Sequence, residues 1–253
     1  MLRREAEAFF AALRFFTRIP VPAWVGHSAE QLNRAARWFP AVGLLVGAVG
    51  AGVTLAALAF FPPLVAVLLG MAATLLLTGA FHEDGLADTF DGLGGGHTRE
   101  DALHIMQDSR LGSFGALALF IVLGLKAAAL AALAVGPAPT FLAASLAAHA
   151  LSRFASTTLI FALDYARPTG KAKPLATRLA AGELAFAALW ALAPALWLPP
   201  LQAALALALA AAVTLVMARW LVRRLGGYTG DGLGATQQLA ELAFYLGLVC
   251  ACG

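Results

Sequence analysis

The chain has 253 residues, of which 61% are apolar and only 12% charged, against roughly 45–50% and 25% in ordinary soluble domains. At a mean hydropathy of +0.81 it lacks the polar side chains to cover a water-soluble globule and is too apolar for disorder, which leaves a polytopic membrane protein. The net charge of +3 reads as basic cytoplasmic loops rather than a nucleic-acid surface, and Cys250 and Cys252, the only cysteines, are poorly placed to bridge each other.

In chain order, residues 5–16 fit an amphipathic helix lying in the membrane interface, with Phe9, Leu13 and Phe16 on one face. The run FFAALRFF is broken by Arg14 and lacks a small-residue cleavage site, so it is not read as a signal peptide. Seven apolar stretches follow, near the length of about 20 residues that a span needs: 41–60, 64–81, 113–135, 140–163, 184–198, 201–218 and 236–252. The fifth is short and carries Pro194. No internal repeat and no Gly/Ser linker divides the chain. The expectation is an all-α polytopic integral membrane protein, one membrane-embedded catalytic domain over residues 1–253.

Loop charge tests that division. The segments before the first span and after the second, fourth and sixth hold 15 of the 17 basic residues, and the connections 61–63, 136–139 and 199–200 hold none. The N-terminus and the charged loops are therefore expected on the cytoplasmic side of the inner membrane and the C-terminus outside. Thirteen of the 14 acidic residues share the basic side. Carboxylates do not set topology, so their crowding there points to chemistry.

The crowding centres on TGAFHEDGLADTFDGLGGG, residues 78–96. On a helix, Asp84, Asp88 and Asp91 fall at about 0°, 40° and −20°, on one face, and Glu83 points elsewhere. Three such carboxylates raise one another's pKa values unless a cation neutralises them. Oxygen-only ligands favour Mg²⁺ or Mn²⁺. Gly85 and Gly92 each cost a helix about 1 kcal/mol and leave room for a phosphate or a second helix. His82 beside the cluster can serve as ligand, hydrogen-bond donor or general base.

HEDGLADTFDG (82–92) resembles the signature of the cobalamin 5'-phosphate synthase family. RFFTRIPVP (14–22), RWFPAVGLLVG (37–47), MQDSRLGSFG (106–115), ARPTGKA (166–172) and GGYTGDGLGA (226–235) resemble that family too, in the same order. The resemblance implies a Mg²⁺-dependent membrane transferase with two small-molecule substrates, adenosylcobinamide-GDP and α-ribazole or its 5'-phosphate. A ribose hydroxyl attacks the corrinoid-side phosphorus and GMP leaves. On that reading Asp84, Asp88 and Asp91 hold one or two Mg²⁺ ions, and Asp91 also takes the nucleophile's proton. The stretch is distantly similar to the carboxylate motif of CDP-alcohol phosphotransferases but carries no Arg.

Further candidates face the same side. Asp108 is a catalytic candidate, for a metal or the nucleophile, and Arg110 a phosphate ligand. Arg167, Lys171 and Lys173 surround Gly170 as flexible phosphate clamps. Asp231 lies between Gly230 and Gly232, where backbone N–H groups can approach substrate. His149 and Arg153, one helical turn apart inside the fourth span, are expensive in lipid and expected to face an interior, with Arg153 reaching toward substrate. Lys126 and Glu241 pose the same question and can pair. The competing functions are a CDP-alcohol phosphotransferase-like lipid synthase and a small cation-coupled transporter. Against the transporter, the carboxylates lie at the cytoplasmic end and no inverted repeat is evident. The expected partners are the substrates and the bilayer, with no nucleic acid. A homo-oligomer is compatible with the sequence.

Overall fold

A computed structural model describes residues 2–26, 28–167 and 179–250. The N-terminal α1 (Leu2–Phe16) and short α2 (Ala29–Ala35) lead through a 3-10 turn into α3 (Phe39–Ala57). Then come α4 (Pro63–Thr78), α5 (Phe81–Gly95), α6 (Arg99–Ile105), α7 (Ser113–Ala134) and α8 (Ala138–Ala162). The chain ends with α9 (Ala181–Leu192), which runs on as a 3-10 turn over Ala193–Trp197, then α10 (Pro200–Leu225) and α11 (Gly230–Cys250). Helices α3, α4, α8 and α10 each carry a proline in their first turn, where the missing N–H has no intrahelical partner to lose. Among the described residues there is no strand. One bridge joins Tyr165 to Tyr228, and the amide of Ala166 donates to Tyr228 O at 2.8 Å.

The all-helical expectation holds, but the count of seven spans does not follow from the structure. Among the described residues, three helical stretches are long and apolar enough to cross a membrane: Glu30–Ala57, Ser113–Ala134 and Pro200–Leu225. Pro63–Thr78 and Phe81–Gly95 qualify only when taken together, and they diverge by 89°. Helices α8 and α11 are long, at 25 and 21 residues, but polar residues dilute their apolar character. The segment around Pro194 is a 12-residue helix with a 3-10 end.

Those polar residues face inward. Lys126, His149, Ser152, Arg153, Gln237, Gln238 and Glu241 are all buried, whereas Leu68 and Leu76 of α4, Phe120 and Ile121 of α7, and Leu201 and Leu215 of α10 are exposed. A bundle surrounded by lipid requires this distribution. Lys126 Nζ lies 2.5 Å from Glu241 Oε1, and His149 Nδ1 lies 3.4 Å from Glu241 Oε2. Gln237 Nε2 donates to Glu241 Oε2 at 2.7 Å and to Ser152 Oγ at 2.9 Å. Gln238 Nε2 donates to Gln237 Oε1 at 2.9 Å and to Glu83 Oε1 at 2.8 Å. The network thus runs from the interior of the bundle to the first turn of α5.

The turn between α4 and α5 sets the direction of the acidic helix. Gly79 (φ +69°) and Ala80 (φ +56°) are both left-handed, a conformation that glycine adopts freely but that costs alanine about 1–2 kcal/mol. The Ala80 amide donates to Leu75 O at 3.0 Å, and the Arg18 amide donates to Leu77 O at 2.8 Å, tying the turn to the segment after α1. The expected second span therefore stops at Thr78, and α5 does not continue it. Helix α1 is amphipathic as expected, but Ala8, Ala11, Ala12, Leu13 and Phe16 are buried in the protein core. Its apolar face covers protein rather than lying in lipid.

Candidate active site

Helix α5 and the first turn of α11 meet closely because neither presents a side chain at the crossing. A Cβ on Gly85 would stand 2.9 Å from Asp231 O and 3.3 Å from Gly234 Cα. Beside this crossing opens a cavity of about 390 Å³. Asp84 and Asp88 of α5 and Asp231 of α11 line it, together with His82, Arg153 of α8 and Arg167 just beyond α8. Six of the site residues expected from sequence, His82, Asp84, Asp88, Arg153, Arg167 and Asp231, thus reach it. They come from three helices and a loop.

Charge at the cavity is unbalanced toward carboxylate. Arg167 Nη2 lies 2.9 Å from Asp231 Oδ2. Burial, with Asp231 and Asp84 close by, pushes the Asp88 carboxyl up to about 7, and Arg167 offsets this only in part. Arg153 is buried; its Nη1 donates to His149 O at 2.9 Å, its Nε has no partner, and its guanidinium carbon stands 5.7 Å from the centre of the Phe16 ring. His82 is buried and stacks on Phe16, with 5.1 Å between ring centres. Among the described residues no group of three or more His, Cys, Asp or Glu side chains closes into a metal cage. Asp84, Asp88 and Asp231 nevertheless offer carboxylate oxygens on the cavity, and a Mg²⁺ ion binds through only one or two carboxylates plus substrate phosphates. The donor chemistry therefore fits an ion that the substrate helps to hold.

Asp91 shares the α5 face but not the cavity lining. Its Oδ2 accepts from the Gly112 amide and its Oδ1 from the Gly115 amide, both at 2.8 Å, so it caps the N-terminus of α7. Side chains at Gly112 or Gly115 would collide with that carboxylate. Asp108 and Arg110 also lie off the cavity. They form a surface pair through several hydrogen bonds that hold the Asp108 carboxyl down at about 2; the Arg110 side chain is 87% exposed. Lys171 and Lys173 lie outside the described residues. Glu83 turns away, as its helical position requires, and meets Gln238. Lys126 and Glu241 pair with each other and are not part of the cavity lining.

Sequence reasoning missed the aromatic side of the cavity: Phe15, Phe16, Phe39, Phe81 and Tyr165. The signal was present, since RFFTRIPVP and RWFPAVGLLVG carry three of these rings, but aromatics at the start of a membrane chain read equally well as interface anchors.

The model of the cobalamin-5-phosphate synthase family matches residues 8–249. A protein of Ralstonia pickettii named adenosylcobinamide-GDP ribazoletransferase is 50% identical, with 98% of this chain and 97% of that one aligned. Proteins of the same name from Ralstonia nicotianae and Leptothrix cholodnii are 51% and 53% identical, over 95% and 97% of this chain and 94% and 96% of theirs. No solved structure matches. With the family's model and close relatives matched over nearly its whole length, this chain belongs to the cobalamin-5-phosphate synthase family.

Proposed function

We propose that this protein transfers the adenosylcobinamide phosphate group of adenosylcobinamide-GDP to α-ribazole or its 5'-phosphate and releases GMP, the nucleotide-loop assembly step of cobalamin biosynthesis. The observation that carries this reading is a single cavity with carboxylates and arginines on one side and aromatic rings on the other, in a chain whose relatives bear the enzyme's name. The ribose hydroxyl attacks the phosphorus on the corrinoid side of the pyrophosphate. A P–O bond forms there as the bond to GMP breaks, and GMP departs with the bridging oxygen. Arg153 and Arg167 hold the phosphate oxygens, and His82 accepts the hydroxyl proton, being the only one of His82, Asp91 and Asp108 on the cavity lining. Asp84 and Asp88, with Asp231 opposite, are the residues that would hold Mg²⁺. When bound, the ion neutralises charge on the pyrophosphate oxygens.

The inward-facing polar residues support reading α8 and α11 as spans alongside the apolar helices. Loop charge supports an inner-membrane protein with its N-terminus and cavity on the cytoplasmic side and its C-terminus outside. The test is purified protein supplied with α-ribazole, adenosylcobinamide-GDP and Mg²⁺. GMP release is expected; its absence overturns the reading. Asp84→Asn is expected to lower turnover about 100-fold or more, as for removal of a group that stabilises transition-state charge, and to raise the Mg²⁺ concentration needed. Unchanged turnover with unchanged metal dependence removes Asp84 from the site.

A further inference from the structure

The aromatic wall of the cavity is not used by the transfer chemistry above. Phe15 and Phe16 of α1, Phe39 of α3 and Phe81 of α5 form one cluster along it. Phe15 lies parallel to Phe39 with 5.8 Å between centres, Phe16 meets Phe39 edge-on at 4.5 Å, and Phe81 meets Phe15 edge-on at 5.3 Å. On α5, Phe81, Asp84 and Asp88 succeed one another at spacings of three and four residues, so they follow a single line along the helix. The line is aromatic at the turn from α4 and acidic beyond it. Seven residues at about 1.5 Å each make it about 10 Å long, the reach of a base with its ribose.

Size limits what can enter. At about 390 Å³ the cavity lies near the lower end of the range for small-molecule pockets, roughly 300–1,000 Å³. A nucleoside fits. A corrinoid carrying an adenosyl group and GDP is several times larger and must stay largely outside. Two nucleoside-sized pieces then compete for the space, ribazole and the guanosine end of the other substrate. Guanine has a carbonyl and an amino group that need hydrogen-bond partners. Gln107 and Ser156 also line the cavity, but a base laid against the four phenyl rings receives no partner from them, and unpaired buried polar groups are costly. The benzimidazole of ribazole is flat and has no exocyclic polar group.

We propose, resting on the transfer reaction above, that this cavity is the acceptor subsite. A ribosyl benzimidazole lies with its base against Phe15, Phe16, Phe39 and Phe81 and its ribose hydroxyl at Asp84 and Asp88. The corrinoid and guanosine remain at the mouth. The phenylalanine cluster thereby sets which lower-ligand bases are accepted.

The test is calorimetric titration of α-ribazole into the purified protein without the corrinoid substrate, with GMP as competitor, followed by kinetics of Phe81→Leu and Phe15→Leu. Ribazole is expected to bind alone and to resist displacement by equimolar GMP. Each variant is expected to raise the KM for α-ribazole about fivefold, the size of one lost aromatic contact, while the KM for adenosylcobinamide-GDP does not follow. Displacement by GMP, or a rise confined to the KM of the corrinoid substrate, overturns the proposal. Thermal melts report a folding defect, and because the two residues sit on different helices one failed variant leaves the other to decide. GMP release with an unaltered ribazole KM in both variants overturns the subsite and leaves the reaction standing. Ribazole binding weakened by the variants, with no GMP release, retains the subsite and removes the reaction.

Discussion

Asp91 accepts from two amides 21 and 24 residues downstream, and this contact gives it a structural part that helical geometry alone does not show. The face of α5 was read correctly, since Asp84 and Asp88 do meet at the cavity. A face is a line, however, and Asp91 stands about 10 Å along it from Asp84 at about 1.5 Å per residue. There the line has left the cavity and reached the start of α7. No local pattern in the sequence announces a backbone partner so far along the chain. Asp91→Asn places an amide group against one of two N–H donors and should cost about 1–3 kcal/mol, read as a lowered melting temperature in detergent. Its apparent Mg²⁺ requirement should follow the wild type, unlike that of Asp84→Asn. A Mg²⁺ requirement raised without loss of stability would return Asp91 to the metal.

Among the elements, the turn from α4 to α5 was the least legible. Thr78–Gly79 signals a helix end, but Ala80 and Phe81 are apolar, and an apolar count runs the span through both. Nothing about alanine advertises a left-handed conformation. Its φ of +56° is imposed by the 89° change of direction and by the contacts of α5 with α11. Ala80→Val puts a β-branched side chain where the left-handed region excludes it and should cost about 1–3 kcal/mol, with a parallel loss of GMP release because α5 leaves its line. Unchanged melting and turnover would show that the turn tolerates another path. Helices α8 and α11 fail by apolarity for a related reason: hydropathy averages all faces of a helix, and theirs include an inward face built for polar contacts.

For the whole molecule, overall composition and loop charge are legible in the sequence because they need no contacts. Asp84 and Asp88 of the acidic motif line the cavity with Arg167, and apolar side chains of α4, α7 and α10 turn outward. The orientation can be checked after Cys250 and Cys252 are replaced by Ser. A cysteine at position 110, through Arg110→Cys, should react with a membrane-impermeant maleimide only from the cytoplasmic side. Val135→Cys, at the far end of α7 where the residue is 76% exposed, should react only from the opposite side. Reversed labelling would invert the protein in the membrane.

The pairing of Lys126 with Glu241 bears on the order in which the molecule can be made. Lys126 sits midway along α7, and its partner is translated more than a hundred residues later. A lysine at the centre of an inserting helix opposes partition by roughly 2.5–3.5 kcal/mol. Throughout synthesis of α8, α9 and α10 that ammonium waits for its counter-charge, and only the arrival of α11 supplies it. The same helix brings Asp231 to the cavity. Chain termination before α11 therefore leaves Lys126 without its partner Glu241 and the cavity without the side that Asp231 lines.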